Sequence, residues 1–472
     1  MKHNLFPIPW NIMQKWNIHK QKAYQLKKLQ EFMHILSYSP YYKSLCSAYN
    51  IKPKHIRSLE DIQKIPFTTK QDIVTSIEHP EKASSFVLDP SQSLSKISKL
   101  QLLFSSHLKE QLLFEFKPVH VHFTAGRSAM SIPIFSTQQD ILHVHEAAKR
   151  IMNYVKIPHT ARLVNLFPST PHLAFWHTVF ATQSLGVFAL HTGGGKVMGT
   201  ERIIENIEKM QAEAITGIPS YVYHLISLAA EQHRDFSHIQ YIILSSEGIT
   251  QDYISKLKHM LTFAKCQNVA IYSLYAFAEG KVMWSQCHEE SGYHLYPDME
   301  YIEIVDKEGR RVPDGQSGEI VYTGFGFRGT AFLRYKTGDI GRLETAPCPC
   351  CGAKTPRLDP AVIRSSEIMP MKLTKVKGSF VDFNAVSALL SSLSFIEEWQ
   401  IILQKKEKFG LDEIVIHAAV AKNHTFAKNE IIRVVQATFA VTPVVIFKKK
   451  EEIVCDLNLE GLKGKRIMDT RT

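Results

Sequence analysis

The chain has 472 residues, 44% of them hydrophobic and 21% charged, with a net charge of +11. That length supports two or three globular domains, and the composition points to no fibrous, low-complexity or disulfide-scaffold class. Lys and Arg are scattered and the densest run is Lys448–Lys450, so the charge suits small polyanions without marking a nucleic-acid tract. No apolar run reaches 18 residues and the first residues form no signal segment. A cytoplasmic protein with no membrane or nucleic-acid partner is therefore expected. Seven cysteines, three of them within 348–351, fit a reducing compartment better than a disulfide framework.

Residues 20–50 read as an amphipathic helix, with Leu26, Leu29, Phe32, Met33 and Leu36 at helical spacing until Ser39-Pro-Tyr-Tyr42 interrupts it. Capping residues precede two short helices within 58–73. Residues 84–117 are rich in Ser and Leu, with helical spacing around Leu100, Leu103 and Phe104. An alternating strand from Val119 runs into a turn of small residues at 124–130, and a second strand follows at 132–135. Such a turn can offer backbone N–H groups and hydroxyls to phosphate oxygens.

From about 150 to 345 strand and helix patterns alternate. Strands are expected at 163–167, 214–218, 241–244 and 269–273, and helices at 174–185, 200–211, 220–232 and 250–262. This rhythm predicts a parallel sheet covered by helices, with ligands beyond the carboxyl ends of the strands. Two loops fall there, Ser245-Ser-Glu-Gly248 and Tyr275-Ala-Phe-Ala-Glu-Gly280. Further on, Gly318-Glu-Ile-Val-Tyr-Thr-Gly324 alternates as a strand. Leu333-Arg-Tyr-Lys-Thr-Gly-Asp-Ile340 reads as a short strand pulled into a turn by Gly338. A carboxylate held there can accept two hydrogen bonds from a vicinal diol, so Asp339 reads as a ribose ligand.

Cys348-Pro-Cys-Cys-Gly352 is a knuckle whose backbone amides stabilise two metal-bound thiolates. Cys287, His288 and His294 lie ahead of it, and we select Cys287, His294, Cys348 and Cys351 as a closed, structural zinc site. After Pro360 the pattern changes to a smaller βα unit. It has helices at 383–393 and 427–438 and strands at 399–404, 413–420 and 444–447.

Taken together, the Gly318–Gly324 and Leu333–Ile340 blocks and the loops ahead of them resemble the adenylate-forming superfamily of acyl-CoA synthetases and adenylation domains. The phenylacetate-CoA ligase branch is the most similar, also through Pro40-Tyr-Tyr42 and Ile65-Pro-Phe-Thr-Thr-Lys70. The resemblance implies an α/β fold with a large N-terminal adenylate-forming domain of helix-covered sheets, residues 1–362. A small mobile α+β lid follows, residues 363–472. Residues 84–117 look like an insertion into that pattern.

The resemblance also implies roles. Thr124, Gly126, Arg127 and Ser128 would grip the phosphates of ATP, although Ala129 and Met130 replace a glycine and a lysine of the family loop. Ser246, Glu247 and Gly248 would border the adenine, Tyr275 would stack on it, and Glu279 would hold Mg²⁺. Arg364 matches the hinge arginine, Glu367 stands nearest to the hinge acid, and Lys377-Gly378 resembles a lid turn. Lys463 matches the adenylation lysine, whose ammonium would stabilise charge at the α-phosphate. Gly193-Gly-Gly195 would wall the acyl pocket.

Two functions are then open. The first is ATP-dependent activation of a carboxylic acid, aryl or otherwise apolar, to an acyl-adenylate and its transfer to a thiol, that of coenzyme A or of a carrier protein. The second, motivated by Ala129 and Met130, is a catalytically degenerate homologue acting as a binding or scaffold subunit. A homodimer is compatible with either.

Overall fold

The computed structural model describes residues 5–75, 81–92, 105–124, 132–169, 171–249, 251–364, 374–376, 379–381, 383–405, 412–421, 426–439, 442–457 and 466–470. Contacts divide the chain into two units. Residues 1–163, 169–191 and 272–362 form one, and residues 164–168, 192–271 and 363–472 form the other. No described helix is long and apolar enough to cross a membrane.

In the first unit, α1 (Ile18–Ile35) begins where the Asn17 side chain accepts from the Lys20 N–H, and it buries Leu29, Phe32 and Met33. The expected interruption at Ser39-Pro40 is a fresh helix start. Ser39 caps α2 (Pro40–Ala48) by accepting from the Tyr42 N–H, with Pro40 in the first turn, where its missing N–H costs nothing. Tyr42 is fully buried, and its hydroxyl meets Thr68 Oγ1 at 3.1 Å and accepts from the Leu333 N–H at 2.9 Å. The N-terminal helices are thereby fastened to the segment leading into the site. Within the expected 84–117 insertion the structure describes α3 (Ser106–Phe116); Leu100, Leu103 and Phe104 lie outside the described residues.

The strands β1 (Pro118–Phe123) and β2 (Pro133–Thr137) pair antiparallel, Phe123 facing Pro133. A capping box of Thr137 and Asp140 then starts α4 (Gln138–Val155). The next elements alternate: β3 (Arg162–Asn165), α5 (Leu173–Leu185), β4 (Phe188–His191), α6 (Thr200–Met210), β5 (Ala214–Gly217), α7 (Pro219–Glu231), β6 (Tyr241–Ser245), α8 (Gln251–Phe263) and β7 (Ala270–Tyr275), all of them expected from the sequence except β4. Within the second unit β5 and β6 pair in parallel, Ala214 facing Tyr241 and Gly217 facing Leu244.

The alternation stops at β7 instead of running to 345. From there the first unit continues with β8 (Trp284–Ser285), β9 (Tyr293–His294), β10 (Glu300–Val305), β11 (Ser317–Gly324), β12 (Tyr335–Glu344) and β13 (Arg357–Leu358). Strands β9 to β13 lie in the order β10-β11-β12-β13-β9, each paired antiparallel with its neighbour. Segments 306–316 and 325–334 are too short for a helical crossover, so each strand returns beside its predecessor. This sheet and the N-terminal helices share a core that includes Phe32, Tyr42, Trp284, Tyr296, Tyr322 and Tyr335.

The C-terminal residues of the second unit comprise β14 (Ile363–Arg364), β15 (Thr374–Val376), β16 (Ser379–Val381), α9 (Phe383–Ser392), β17 (Ile396–Lys405), β18 (Asp412–Val420), α10 (Ala427–Phe439), β19 (Val444–Phe447), α11 (Lys450–Leu457) and β20 (Ile467–Asp469). The sheet order is β19-β18-β17-β20. Val386, Leu390, Trp399, Ile401, Ile416, Ile431 and Val435 fill the core of this part. Near the C-terminus β20 is an edge strand laid parallel to β17, Ile401 facing Ile467.

Candidate active site and metal centre

Asp339 is placed by an irregularity in a strand. Glu319 faces Ile340 and Val321 faces Lys336, so Ile320 alone stands against Thr337, Gly338 and Asp339. The expected turn at Gly338 is thus a bulge inside the continuous strand β12. Gly338 takes φ +74°, which a residue without Cβ adopts at least cost. The Thr337 hydroxyl donates to the Ile320 carbonyl at 2.9 Å and accepts from the Asp339 N–H at 3.1 Å. Asp339 emerges 3% exposed with its backbone fixed from both sides.

Strand β7 runs further than the alternation suggested, so Tyr275 is its last residue rather than the first of a loop. Its hydroxyl donates to Asp339 Oδ2 at 2.7 Å. The ring packs against protein, stacked on Trp284 at 5.6 Å and near Phe277 and Tyr293. At 9% exposure the group that reaches the site is its hydroxyl. Glu279 lies on a single 3₁₀ turn, Ala278–Gly280, and accepts from the Tyr335 hydroxyl at 2.6 Å. Just past the turn, Lys281 is buried in an ion pair with Asp140 at 2.8 Å. Two phenols, Tyr275 and Tyr335, thus orient the two carboxylates. A hydrogen bond to a charged group of this kind contributes roughly 1.5–3 kcal/mol. Tyr335 was missed in the sequence although it stands inside the Arg334-to-Asp339 block.

His122, also missed, is buried on β1 and its Nε2 lies 2.8 Å from the Ala278 carbonyl. Burial pushes its pKa down to about 3, so it is neutral and the bond to the carbonyl uses Nε2–H. The signal was the His-Val-His alternation of β1.

Thr124 closes the neck of the expected phosphate loop. Its N–H donates to the Ile132 carbonyl and its hydroxyl accepts from the Ile132 N–H, each at 3.1 Å. Gly126, Arg127 and Ser128, with Ala129 and Met130, lie outside the described residues, as do Glu367, Lys377, Gly378 and Lys463. Arg364 is described only as the end of β14.

The second unit holds the other expected loop. Ser246 has φ +79° and is exposed, as is Gly248. Glu247 has a role that the sequence did not disclose. Its carboxylate accepts from the Ser220 N–H and the Ser220 hydroxyl, both at 2.9 Å, at the start of α7. A carboxylate at a helix N-terminus meets both unpaired N–H groups and the dipole. In the glycine-rich turn, Gly193 and Gly194 take φ +72° and +87°. A Cβ on Gly195 would stand 2.6 Å from the Tyr221 hydroxyl, so glycine is required for that approach.

The four residues selected as metal ligands converge in the first unit. One donor atom from each of Cys287, His294, Cys348 and Cys351 lies within 4.8 Å of all the others. Cys287 Sγ and Cys348 Sγ are 3.6 Å apart, as are Cys351 Sγ and His294 Nε2. The edge of a tetrahedron with bonds of about 2.3 Å is about 3.8 Å, close to these two separations, so three thiols and an imidazole gathered here are a donor set of the kind that holds a zinc ion. The knuckle is closed by Gly352 N–H to Cys348 O at 2.9 Å and Cys348 N–H to Ala353 O at 2.8 Å. Tyr154 stacks on the His294 ring at 4.1 Å. Cys350 is exposed and outside the set.

A family model described as AMP-binding enzyme matches residues 137–328. A phenylacetate-coenzyme A ligase of Thermus thermophilus is 22% identical, covering 96% of this chain and 97% of its own. One from Escherichia coli is 23% identical over 69% of this chain and 68% of its own. Among solved structures, 2-hydroxyisobutyryl-CoA ligase in the postadenylation state in complex with R3-HIB-AMP has a TM-score of 0.77 at 19% identity. That match covers 100% of this chain and 95% of the other. The same ligase in the thioesterification state gives 0.64. The AMP-binding match over residues 137–328 supports the adenylate-forming superfamily for this chain, and the ligases it resembles along its length support the phenylacetate-CoA ligase-like branch.

Proposed function

We propose that the protein is a ligase that activates a carboxylic acid with ATP and passes the acyl group to a thiol, that of coenzyme A. A carboxylate oxygen attacks the α-phosphorus, pyrophosphate leaves, and the thiol sulfur then displaces AMP from the acyl-adenylate. The observation that carries this reading is the Tyr275–Asp339 hydrogen bond on a bulge built to hold that carboxylate, beside the Tyr335–Glu279 pair. Asp339 takes the ribose diol, with Tyr275 fixing the carboxylate's plane. Glu279 is the residue to hold Mg²⁺, which neutralises phosphate charge when bound.

Most of the catalytic effect in such chemistry is positioning and charge stabilisation. Lys463, Thr124, Arg127 and Ser128 are assigned to the reacting phosphates, and Ser246 and Gly248 to the adenine. Glu247 shapes that loop through α7, and Arg364 is the hinge arginine between a working domain of residues 1–362 and a lid of 363–472. Zinc at Cys287, His294, Cys348 and Cys351 is structural, because four protein donors leave no open position.

Carboxylate-dependent exchange of labelled pyrophosphate into ATP tests the reading. Exchange with at least one acid of a broad aryl and alkyl panel, lost in Asp339→Ala and in Lys463→Ala, is expected. Exchange that survives both substitutions refutes the site. A wild-type chain that binds ATP and exchanges with no acid favours the scaffold alternative raised by Ala129 and Met130.

A further inference from the structure

The turn Ala278–Gly280 is held from three sides. The Ala278 carbonyl accepts from His122 Nε2–H at 2.8 Å, and the Gly280 carbonyl accepts from the Tyr322 hydroxyl at 3.3 Å. A Cβ on Gly280 would stand 3.0 Å from Phe277 and from Trp284, so the chain passes there with no room to spare. The third hold is Lys281, whose backbone takes φ +59° as the residue closing the turn.

Lysine is an odd occupant of that position. Glycine or asparagine enters the left-handed region at less cost, and an ammonium loses its water when buried. Lys281 is 1% exposed, and its Nζ stands 2.8 Å from Asp140 Oδ2 and 5.2 Å from the centre of the Phe327 ring. A buried ion pair is often no more stabilising than an apolar pair of like volume, so stability does not account for it.

Asp140 makes the far end rigid. Besides Lys281 Nζ it accepts from the N–H groups of Thr137, Arg328 and Gly329, at 3.2, 2.7 and 2.9 Å, and it is fully buried. Four donors fill the acceptor sites of a carboxylate. The ammonium is therefore a fixed point, tied at once to the start of α4 and to the segment 325–334, and Glu279 stands two residues before it in the chain. The Glu279 carboxylate is bonded to Tyr335, just past that same segment.

We propose that the Lys281–Asp140 pair braces this turn and so aims the Glu279 carboxylate, which makes Lys281 a positioning residue for the metal that accompanies the nucleotide. This role rests on the adenylating function proposed above. Groups that orient a metal ligand without touching the metal change affinity by about 10- to 100-fold when removed.

The test compares wild type with Lys281→Met, Asp140→Asn, the two combined, and Arg150→Met. Arg150 is the control, as deeply buried but bonded to Glu146 and Asp298. Each protein is read for Mn²⁺ held together with α,β-methylene-ATP, by electron paramagnetic resonance, for amide hydrogen exchange of residues 276–283, and for thermal midpoint. Pyrophosphate exchange is followed against free Mg²⁺. In Lys281→Met the Mn²⁺ affinity should fall by about 10- to 100-fold, the Mg²⁺ needed for half-maximal exchange should rise by the same factor, and the turn should lose amide protection. Asp140→Asn should do likewise, also where Lys281→Met fails to fold, and the combined variant should lose no more than either alone. Arg150→Met should lower the midpoint and leave Mn²⁺ affinity and the turn's protection as in the wild type. A wild-type turn that exchanges as fast as an exposed loop overturns the proposal without any variant. Unchanged Mn²⁺ affinity or unchanged protection in the Lys281 and Asp140 variants, or an equal loss in Arg150→Met, overturns it too. A wild type that neither binds Mn²⁺ with the nucleotide nor exchanges pyrophosphate, while the turn loosens in the Lys281 and Asp140 variants and not in Arg150→Met, upholds the brace and sinks only the adenylating function.

Discussion

Glu300 gives the sharpest test of the packing around the site. It lies on β10, fully buried, with Oε1 accepting from Trp284 Nε1 at 2.6 Å and from the Tyr296 N–H at 2.8 Å. Its Oε2 has no partner among the described residues. Burial raises its pKa from 4.5 to about 8, with the nearby Asp298 adding to the rise and the two hydrogen bonds opposing it. The folded chain thus keeps a proton on Glu300 between pH 4.5 and about 8 that the unfolded chain releases. That contribution to stability is whole below pH 4.5 and disappears as pH climbs through 8.

At about 1.4 kcal/mol per pH unit the interval corresponds to roughly 5 kcal/mol. Local relaxation and water entry make this an upper bound. Glu300→Gln keeps the shape and an acceptor oxygen but has nothing to titrate. Urea unfolding followed by tryptophan fluorescence at pH 5, 7 and 9 should show the variant gaining on the wild type by several kcal/mol across that range. All other titrating groups are common to the two proteins and cancel in the difference. Parallel pH profiles would show that Glu300 reaches water and would refute the reasoning.

Tyr275→Phe keeps the ring packing against Trp284 and loses the bond to Asp339. It should lower kcat/KM for ATP by roughly 10- to 100-fold with little change in thermal midpoint. Gly338→Ala places a Cβ at φ +74°. It should cost about 1 kcal/mol of stability and reduce exchange more than that cost alone predicts, because Asp339 moves with the bulge. Elemental analysis should find close to one zinc per chain. Cys348→Ser with Cys351→Ser should empty the site and lower the melting temperature by many degrees, whereas Cys350→Ser should leave zinc content unchanged. Glu247→Ala strips two hydrogen bonds from the start of α7 and should destabilise the chain by about 1–2 kcal/mol in a urea titration, with Glu247→Gln losing less.

The helical and parallel part of the fold was legible because its periods are local. Leu29, Phe32 and Met33 mark a helix face, and Ile242–Leu244 mark a buried strand. The antiparallel sheet after β7 was less so, since short apolar runs do not state which neighbour they pair with, and the lengths of the segments between them were the overlooked clue. Gly338 was recognised as a special position but assigned to a turn. A positive φ serves a bulge equally well, and only the partner strand decides between them. The gathering of Cys287, His294, Cys348 and Cys351 was readable because thiols and an imidazole at knuckle spacing have few other uses. The phenols of Tyr275 and Tyr335 were not assigned to the carboxylates they orient, because both bonds cross more than fifty residues of chain. Glu247 is a like case, its helix lying earlier in the sequence.

The bulge at Thr337–Asp339 also sets the phase of the rest of β12. Three residues against one is a surplus of two, an even number, so the up-and-down order of side chains survives the detour. Tyr335, Thr337, Asp339, Gly341 and Leu343 all point inward, while Arg342 faces water. Shortening this segment by a single residue would reverse every side chain beyond it, turning Leu343 to solvent and driving a guanidinium into the sheet's packed side. Loops elsewhere can drift in length over evolutionary time, but here the chain can gain or lose residues only in pairs.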